Sequence, residues 1–331
     1  MCKVPGTSEV PGTWGSKTMN LSLIRRLIED DDPLQILYEV LTNTVWTAER
    51  FAEARQQGVP FDYLCEGEHA ASTLEHEVYA IYSDMYMLLE ADDSRRDRVE
   101  EVHQWEQYTL LLIDALSLRE LPLIREVLAA HGLAPQVDFA LAPLPTETGD
   151  FCRRHYNASG PSDVASRAHR YPFAFRHVTR EGWQPDFSSN ERQRFIWYAF
   201  PDDYFSLKET DYTRHVVQPI EAILEAVLSD SAPVHPLVIT GDHGYLWQGG
   251  RCTWALKRDE GAALAEHFKL GRSTRATTDA LAATGKAWVW GNIGAARGRF
   301  AWGGMVRGAG SLFKHGGVSL MECLVPWVIV E

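Results

Sequence analysis

The apolar positions of this chain fall into two regimes. From Met19 to about Gln104 they recur at spacings of three and four, the period of amphipathic helices. Asp32 followed by Pro33 is an N-cap and first-turn pair. The helix predicted to start there carries Leu34, Leu37, Leu41, Val45 and Phe51 on one face as far as Gly58. A second helix is predicted from Leu74, Val78, Ile81, Tyr82, Met85 and Leu88. His69 and His76 stand near its start, but His-Glu-Val-Tyr-Ala lacks the second histidine of a His-Glu-x-x-His zinc helix. Both are therefore read as surface or core residues, and the region as a helical cap or docking layer.

The pattern changes at Tyr108. Tyr108 to Ile113 is a continuous run of strand length ending on Asp114, followed by a helix through Leu121, Ile124 and Leu128 that closes at His131-Gly132. Further strands are predicted at Val137–Leu141, Arg194–Phe200, Leu237–Ile239, Ala287–Trp290, Arg299–Val306 and Val325–Val330. Helices are predicted at Val216–Leu228 and Asp259–Phe268, and the interval before Arg194 reads as polar loop. Strands alternating with helices predict an α/β fold with a mostly parallel sheet covered on both faces. The expected organisation is a loose tail over residues 1–18, a helical region over 19–105 and an α/β domain over 106–331.

Composition narrows the class. The chain has 331 residues, 45% apolar and 23% charged, as expected of a globular protein with a full core. A net charge of −13 argues against nucleic-acid binding through bulk electrostatics, though not against a local basic groove. Cys2, Cys65, Cys152, Cys252 and Cys323 are scattered and odd in number, which predicts reduced thiols and a cytoplasmic setting. No apolar run approaches the roughly 18 residues of a membrane span, and Met1 to Lys17 lacks the apolar stretch of a signal peptide.

The candidate chemistry stands after the strands. Asp114 follows one, Asp202 and Asp203 another, and Asp242 with His243 a third, in the glycine-flanked turn Thr-Gly-Asp-His-Gly. In an open α/β sheet the carboxyl ends of the strands form the ligand crevice. Carboxylates gathered there repel one another unless cations neutralise them, and Asp beside His is a natural pair of metal ligands. Helix capping by these aspartates is the structural alternative.

Four segments together resemble a known family: Leu110-Leu-Leu-Ile-Asp114, Leu144-Pro-Thr-Glu-Thr148, Val238-Ile-Thr-Gly-Asp242-His243-Gly and His315-Gly-Gly-Val-Ser-Leu-Met-Glu-Cys-Leu-Val-Pro326. They occur in the order of a PglZ domain of the alkaline phosphatase superfamily, over roughly residues 105–331. The resemblance implies two divalent metals, usually zinc, over a nucleophilic threonine or serine; manganese is the other candidate. Asp114, Asp242 and His243 resemble ligands of the ion that activates the nucleophile. Thr148 resembles the nucleophile, with Thr146 the second choice. His315 resembles a ligand of the other ion, together with Asp202 or Asp203. A bound dication lowers the pKa of a threonine hydroxyl, and a second one stabilises the leaving oxygen.

The chain departs from the superfamily at one point. An Asp-x-x-x-His is expected after the strand ending at Phe200, but Ser206 and Leu207 follow Asp202 and Asp203 at that spacing. Asp211 and His215 have the spacing but stand later, near a helix start. The leading expectation is metal-dependent phosphoester hydrolysis. The resemblance adds a role in anti-phage defence of the BREX or phage-growth-limitation type, alongside other defence-system proteins. The substrate is a phosphoester, with nucleotide and nucleic acid both open. The alternative is an interaction module with a weak or relic metal site. Arg251, Lys257, Arg258, Arg272 and Arg275 are candidate phosphate contacts. The Gly294–Gly310 segment, with Arg297, Arg299, Arg307, Phe300 and Trp302, reads as a hairpin near the site or a surface that stacks bases.

Overall fold

The computed structural model describes residues 21–82, 84–188, 190–205, 211–230, 234–249, 252–302 and 312–331. The predicted tail, Ser206, Leu207, Arg251, Arg307 and positions 303–306 of the predicted strand lie outside these residues.

The chain forms strands β1 (Tyr108–Ile113), β2 (Gln136–Leu141), β3 (Ala174–Val178), β4 (Gln193–Tyr198) and β5 (Leu237–Thr240). The short strands β6 (Leu246–Trp247), β7 (Ser273–Thr274), β8 (Ala287–Trp290), β9 (Ile293–Ala296) and β10 (Phe313–Lys314) follow, and β11 (Leu324–Val330) ends the chain. Six of them make the central sheet, in the order β2-β11-β5-β1-β4-β3. β5, β1, β4 and β3 are parallel, and β11 runs antiparallel to both β5 and β2. The fold is α/β with a mixed, mostly parallel sheet flanked by helices, preceded by a helical region.

β1 is buried at all six positions because both faces of the sheet are covered. Its alternate residues divide between two cores. Leu111 and Ile113 join the face that holds helices Leu121–Ala130 and Gln218–Leu228. Leu110 and Leu112 join Phe151, Tyr156, Phe173 and Trp197 on the other.

Register brings the functional segments to one edge. Ile113 pairs with Tyr198 and Leu112 with Thr240, so the residues after β1, β4 and β5 emerge side by side. Leu324 pairs with Leu141, which brings the entry to β11 and the exit from β2 to that same edge.

The helical region differs from the sequence pattern in its breaks. Asp32 does cap a helix, accepting from the Gln35 N–H, but that helix (Pro33–Val40) widens at Leu41–Val45 and stops at Trp46. Thr47 then caps a new helix, Ala48–Gln56. The second predicted helix starts earlier, spans Pro60–Ile81 and is separate from Met85–Ala91.

Glu68 and Glu75, seven apart on the long helix, are fully buried with Arg119 and Arg299. Glu68 accepts from Arg119 Nη2 and Arg299 Nη1, both at 2.6 Å, and Glu75 from Arg299 Nε at 2.8 Å. Leu27, Leu64 and Met85 belong to the same hydrophobic core as Ile113 and Ile239.

Two expectations need correction. The interval before Arg194 contains β3, an edge strand whose Arg176 and His177 hid the apolar pattern. The strand expected at Arg299–Val306 does not form over its described part, where Phe300 makes only an isolated bridge to Trp254. The hairpin near this position is β8–β9, turning at Gly291-Asn292. Among the described residues no helix is long and apolar enough to cross a membrane.

Candidate metal centre and nucleophile

Thr148 begins the helix Thr148–Tyr156, just past the exit of β2. Its hydroxyl oxygen lies 2.8 Å from Asp242 Oδ2, 3.2 Å from Asp114 Oδ1 and 3.2 Å from His243 Nε2. His243 Nδ1 faces the Gly244 carbonyl at 3.0 Å, which fixes the proton on Nδ1 and leaves a lone pair on Nε2. Three acceptors therefore surround one hydroxyl that has a single proton to give.

Each ligand candidate is held in place by backbone or buried side chains. Asp242 Oδ1 accepts the Ala115 and His243 N–H groups at 3.1 and 3.0 Å. Ala115 adopts a left-handed φ of 60°, a conformation rare outside glycine that is concentrated at functional sites. Asp114 Oδ2 accepts the Trp197 indole N–H at 3.1 Å. Gly244 packs so closely that a Cβ there would sit 2.1 Å from the Met321 carbonyl.

Burial is the main electrostatic force on these groups. It pushes the Asp114 carboxyl well above its usual range, with the charges of Asp242 and Asp202 adding to it. It raises Asp242 as well, against the hydrogen bond from Thr148. It holds His243 near pKa 3, with His315 next to it acting in the same direction. A buried cluster of two carboxyls and a neutral imidazole, short of protons, is the environment a divalent cation satisfies.

Spacing agrees with that reading. His243 Nε2 lies 3.7 Å from Asp114 Oδ1 and 3.6 Å from Asp242 Oδ2. Donor atoms around a tetrahedral zinc with bonds of about 2.0–2.1 Å stand roughly 3.3–3.5 Å apart. Asp114, Asp242 and His243 thus form a buried set fit to hold a metal ion.

A second set consists of Asp202, His243 and His315. His315 Nδ1 faces the Thr146 carbonyl at 3.2 Å, and its Nε2 lies 3.4 Å from Asp202 Oδ1. That Asp202 oxygen is buried without a hydrogen-bond partner. Burial opposes protonation of His315, but the Asp202 and Glu147 carboxylates outweigh it and raise the pKa. The imidazoles of His243 and His315 stack at 4.3 Å. Because His243 has one free lone pair for both sets, the second set owns only two donors, Asp202 and His315.

Thr146 and Asp203 stand apart. The Thr146 hydroxyl is fully buried, donates to the Gly317 carbonyl at 2.8 Å and accepts the Gly316 N–H at 3.0 Å. It clamps the turn after His315, where Gly316 has φ 98°. Asp203 is exposed and belongs to neither donor set. Asp211 and His215 are in neither set; the Asp211 N–H reaches His215 Nδ1 at 3.1 Å and Asp211 Oδ1 accepts the Arg214 N–H at 3.0 Å, a local helix cap. His69 and His76 are exposed and belong to no potential metal set.

The basic candidates separate clearly. Arg272 is buried and grips Glu322, so it is closed to substrate. Glu322 in turn accepts the Gly317 N–H at 2.8 Å and the Ser319 hydroxyl at 2.7 Å, which makes it the brace of the His315 loop. Arg299 is spent on Glu68 and Glu75, and Arg297 on Glu90. Phe300 and Trp302 are buried, so no base-stacking surface exists at these two rings. Arg275 is different: its half-exposed guanidinium reaches Asp150 Oδ2 at 2.5 Å, two residues past Thr148.

Trp197, Glu68 and Glu75 are supporting residues outside the quoted motifs, and Glu322 stands inside the His315 motif with no role assigned to it from sequence. The Glu68 partner Arg119 stacks over Tyr245 at 4.0 Å, and Glu75 accepts the Leu320 N–H at 3.1 Å. The buried charges of the helical region thereby brace both ligand loops. A cavity of about 190 Å³ lined by Arg194, Asp230 and His235 lies at the opposite edge of the sheet, away from these ligands.

The chain matches no protein-family model, and no curated protein matches it.

Proposed function

We propose that this chain is a metal-dependent phosphoester hydrolase, an alkaline-phosphatase-like protein of the PglZ type, with Thr148 as nucleophile. The observation that carries the reading is the convergence of Asp114, Asp242 and His243 on the Thr148 hydroxyl at 2.8–3.2 Å. Zinc suits two carboxylates and one imidazole, and manganese accepts the same donors. Such an ion, when bound, lowers the pKa of the threonine hydroxyl and neutralises charge on the phosphoryl oxygens.

The residues then divide the work. Asp242 aligns the Thr148 hydroxyl across 2.8 Å for attack on phosphorus; its proton leaves to solvent, and water then hydrolyses the resulting phospho-threonine to free Thr148. The helix beginning at Thr148 directs its amino-terminal dipole at the incoming anion. Asp202 and His315, 3.4 Å apart, would give the leaving oxygen a proton or hold a second, weaker cation beside it. A role in anti-phage defence, with partner proteins, rests on the motif resemblance alone.

A catalytically weak interaction module is the second reading, favoured by the two-donor second set. Hydrolysis of bis(p-nitrophenyl) phosphate by the zinc- or manganese-loaded protein separates the two. The hydrolase reading expects turnover that falls roughly a thousandfold or more in Thr148→Ala while metal content stays the same. Undiminished turnover in Thr148→Ala removes Thr148 as nucleophile, and bound metal with no turnover favours the module.

A further inference from the structure

Trp290 is the most exposed large aromatic residue among those described, at 69%. It closes β8 at the two-residue turn Gly291-Asn292, and its position follows from the ladder of the small sheet. Trp288 pairs with Ala295 and Ala295 with Ser273, so these three side chains share one face. Trp290 and its partner Ile293, two residues along, share it too. The opposite face carries Val289, packed with Leu264 and Phe268 in a small core of its own.

The β7 side of the face that bears Trp290 contacts the Thr148 helix and the residue before it. Ser273 hydrogen-bonds Glu147, the residue before Thr148. Arg275, at the end of β7, reaches Asp150 in the same helix. The turn beside Trp290 is tied to this arginine, since Asn292 Nδ2 donates to the Arg275 carbonyl at 3.2 Å and Thr277 Oγ1 to the Gly291 carbonyl at 2.8 Å. At the other end Arg297 bridges Val318 in parallel, so β9 runs back toward Trp290 as the His315–Val318 segment runs back toward His315. Ladder spacings put the Trp290 Cα roughly 12 Å from that of Ser273. An indole therefore stands open to solvent within ligand reach of the Thr148 helix, on the same small sheet as the half-exposed Arg275 that pairs with Asp150 of that helix.

We propose that Trp290 is a stacking platform for the base of a nucleoside phosphodiester whose phosphate lies between Arg275 and Thr148. This rests on the hydrolase reading for the reaction and not for the binding. An aromatic ring accepts any base through its π face, which suits sequence-tolerant recognition of a nucleotide or single strand. The acidic net charge makes such a local, stacking-based contact the fitting mode.

The test compares two esters with the same leaving group, thymidine 5′-(p-nitrophenyl phosphate) and methyl p-nitrophenyl phosphate, using the metal-loaded full chain. Trp290→Ala is expected to reduce the preference for the thymidine ester, as a ratio of kcat/KM, by roughly 5- to 100-fold, and Trp290→Phe to restore most of it. Calorimetric binding of thymidine 5′-monophosphate gives a readout free of turnover. Its Kd is expected to weaken by a similar factor in Trp290→Ala and to recover in Trp290→Phe. Trp290-dependent binding without hydrolysis of either ester sinks the hydrolase reading and keeps the base site. No binding of thymidine monophosphate, or ratio and Kd alike in Trp290→Ala and the natural sequence, overturns the base site.

Discussion

The Thr148 hydroxyl donates to Asp242 Oδ2 across 2.8 Å, and Asp114 and His243 compete for the same proton from 3.2 Å. A cation among these four atoms removes the conflict, because each then has a positive partner. Stability should therefore depend on metal. At zinc or manganese a hundredfold above Kd, linkage gives about 2.7 kcal/mol, seen as a rise in Tm that chelator reverses. An equal rise in Asp114→Asn would contradict the assignment.

Thr146 clamps the turn after His315 through both of its hydroxyl hydrogen bonds. Thr146→Val leaves the Gly316 N–H and Gly317 carbonyl unpaired in a buried site, at a cost of about 1–3 kcal/mol by urea denaturation. Thr146→Ser keeps both bonds and should recover most of the loss. Equal stability of the valine and serine variants would remove this role.

How much of this was legible in the sequence follows from where each partner lies. β1 and β5 could be read because strands buried on both faces are continuous apolar runs. β3 could not, since an edge strand tolerates Arg176 and His177 in its interior. Asp114, Asp242 and His243 were readable as acids and a histidine at strand ends, and register then aligns those ends. The clamp role of Thr146 was not, because its partners stand 170 and 171 positions away. Glu68 and Glu75 look like solvent-facing acids on an amphipathic helix until Arg119 and Arg299 arrive from distant segments.

That buried network gives the third prediction. Arg299→Met leaves Glu68 short of one cation and Glu75 without its ion-pair partner, and should destabilise the chain by about 3–5 kcal/mol. The same change should lower metal affinity, because Glu75 also holds the Leu320 N–H that follows the His315 loop. A loss under 1 kcal/mol, on the order of a surface pair, would show the network to be dispensable.

A pH dependence comes from His103, which is packed on Phe173 at 4.4 Å and hydrogen-bonded to the hydroxyls of Tyr108 and Tyr156. Burial lowers its pKa from 6.5 to about 3. The unfolded chain thus takes up a proton that the folded one refuses. This contribution is complete above pH 6.5 and is lost as pH falls toward 3. Between pH 7 and 5 it amounts to roughly 2 kcal/mol, by linkage. Denaturation of His103→Asn should show a pH dependence shallower by that amount; an unchanged slope would refute the effect.

The central claim is that Asp114, Asp242 and His243 hold a divalent ion beneath Thr148. Elemental analysis of the metal-loaded, gel-filtered protein tests it most directly. The account predicts at least one zinc or manganese ion per chain, lost in Asp242→Asn and in His243→Gln while the fold persists. A natural-sequence protein that retains no metal, or an Asp242→Asn variant that retains it fully, would contradict the account.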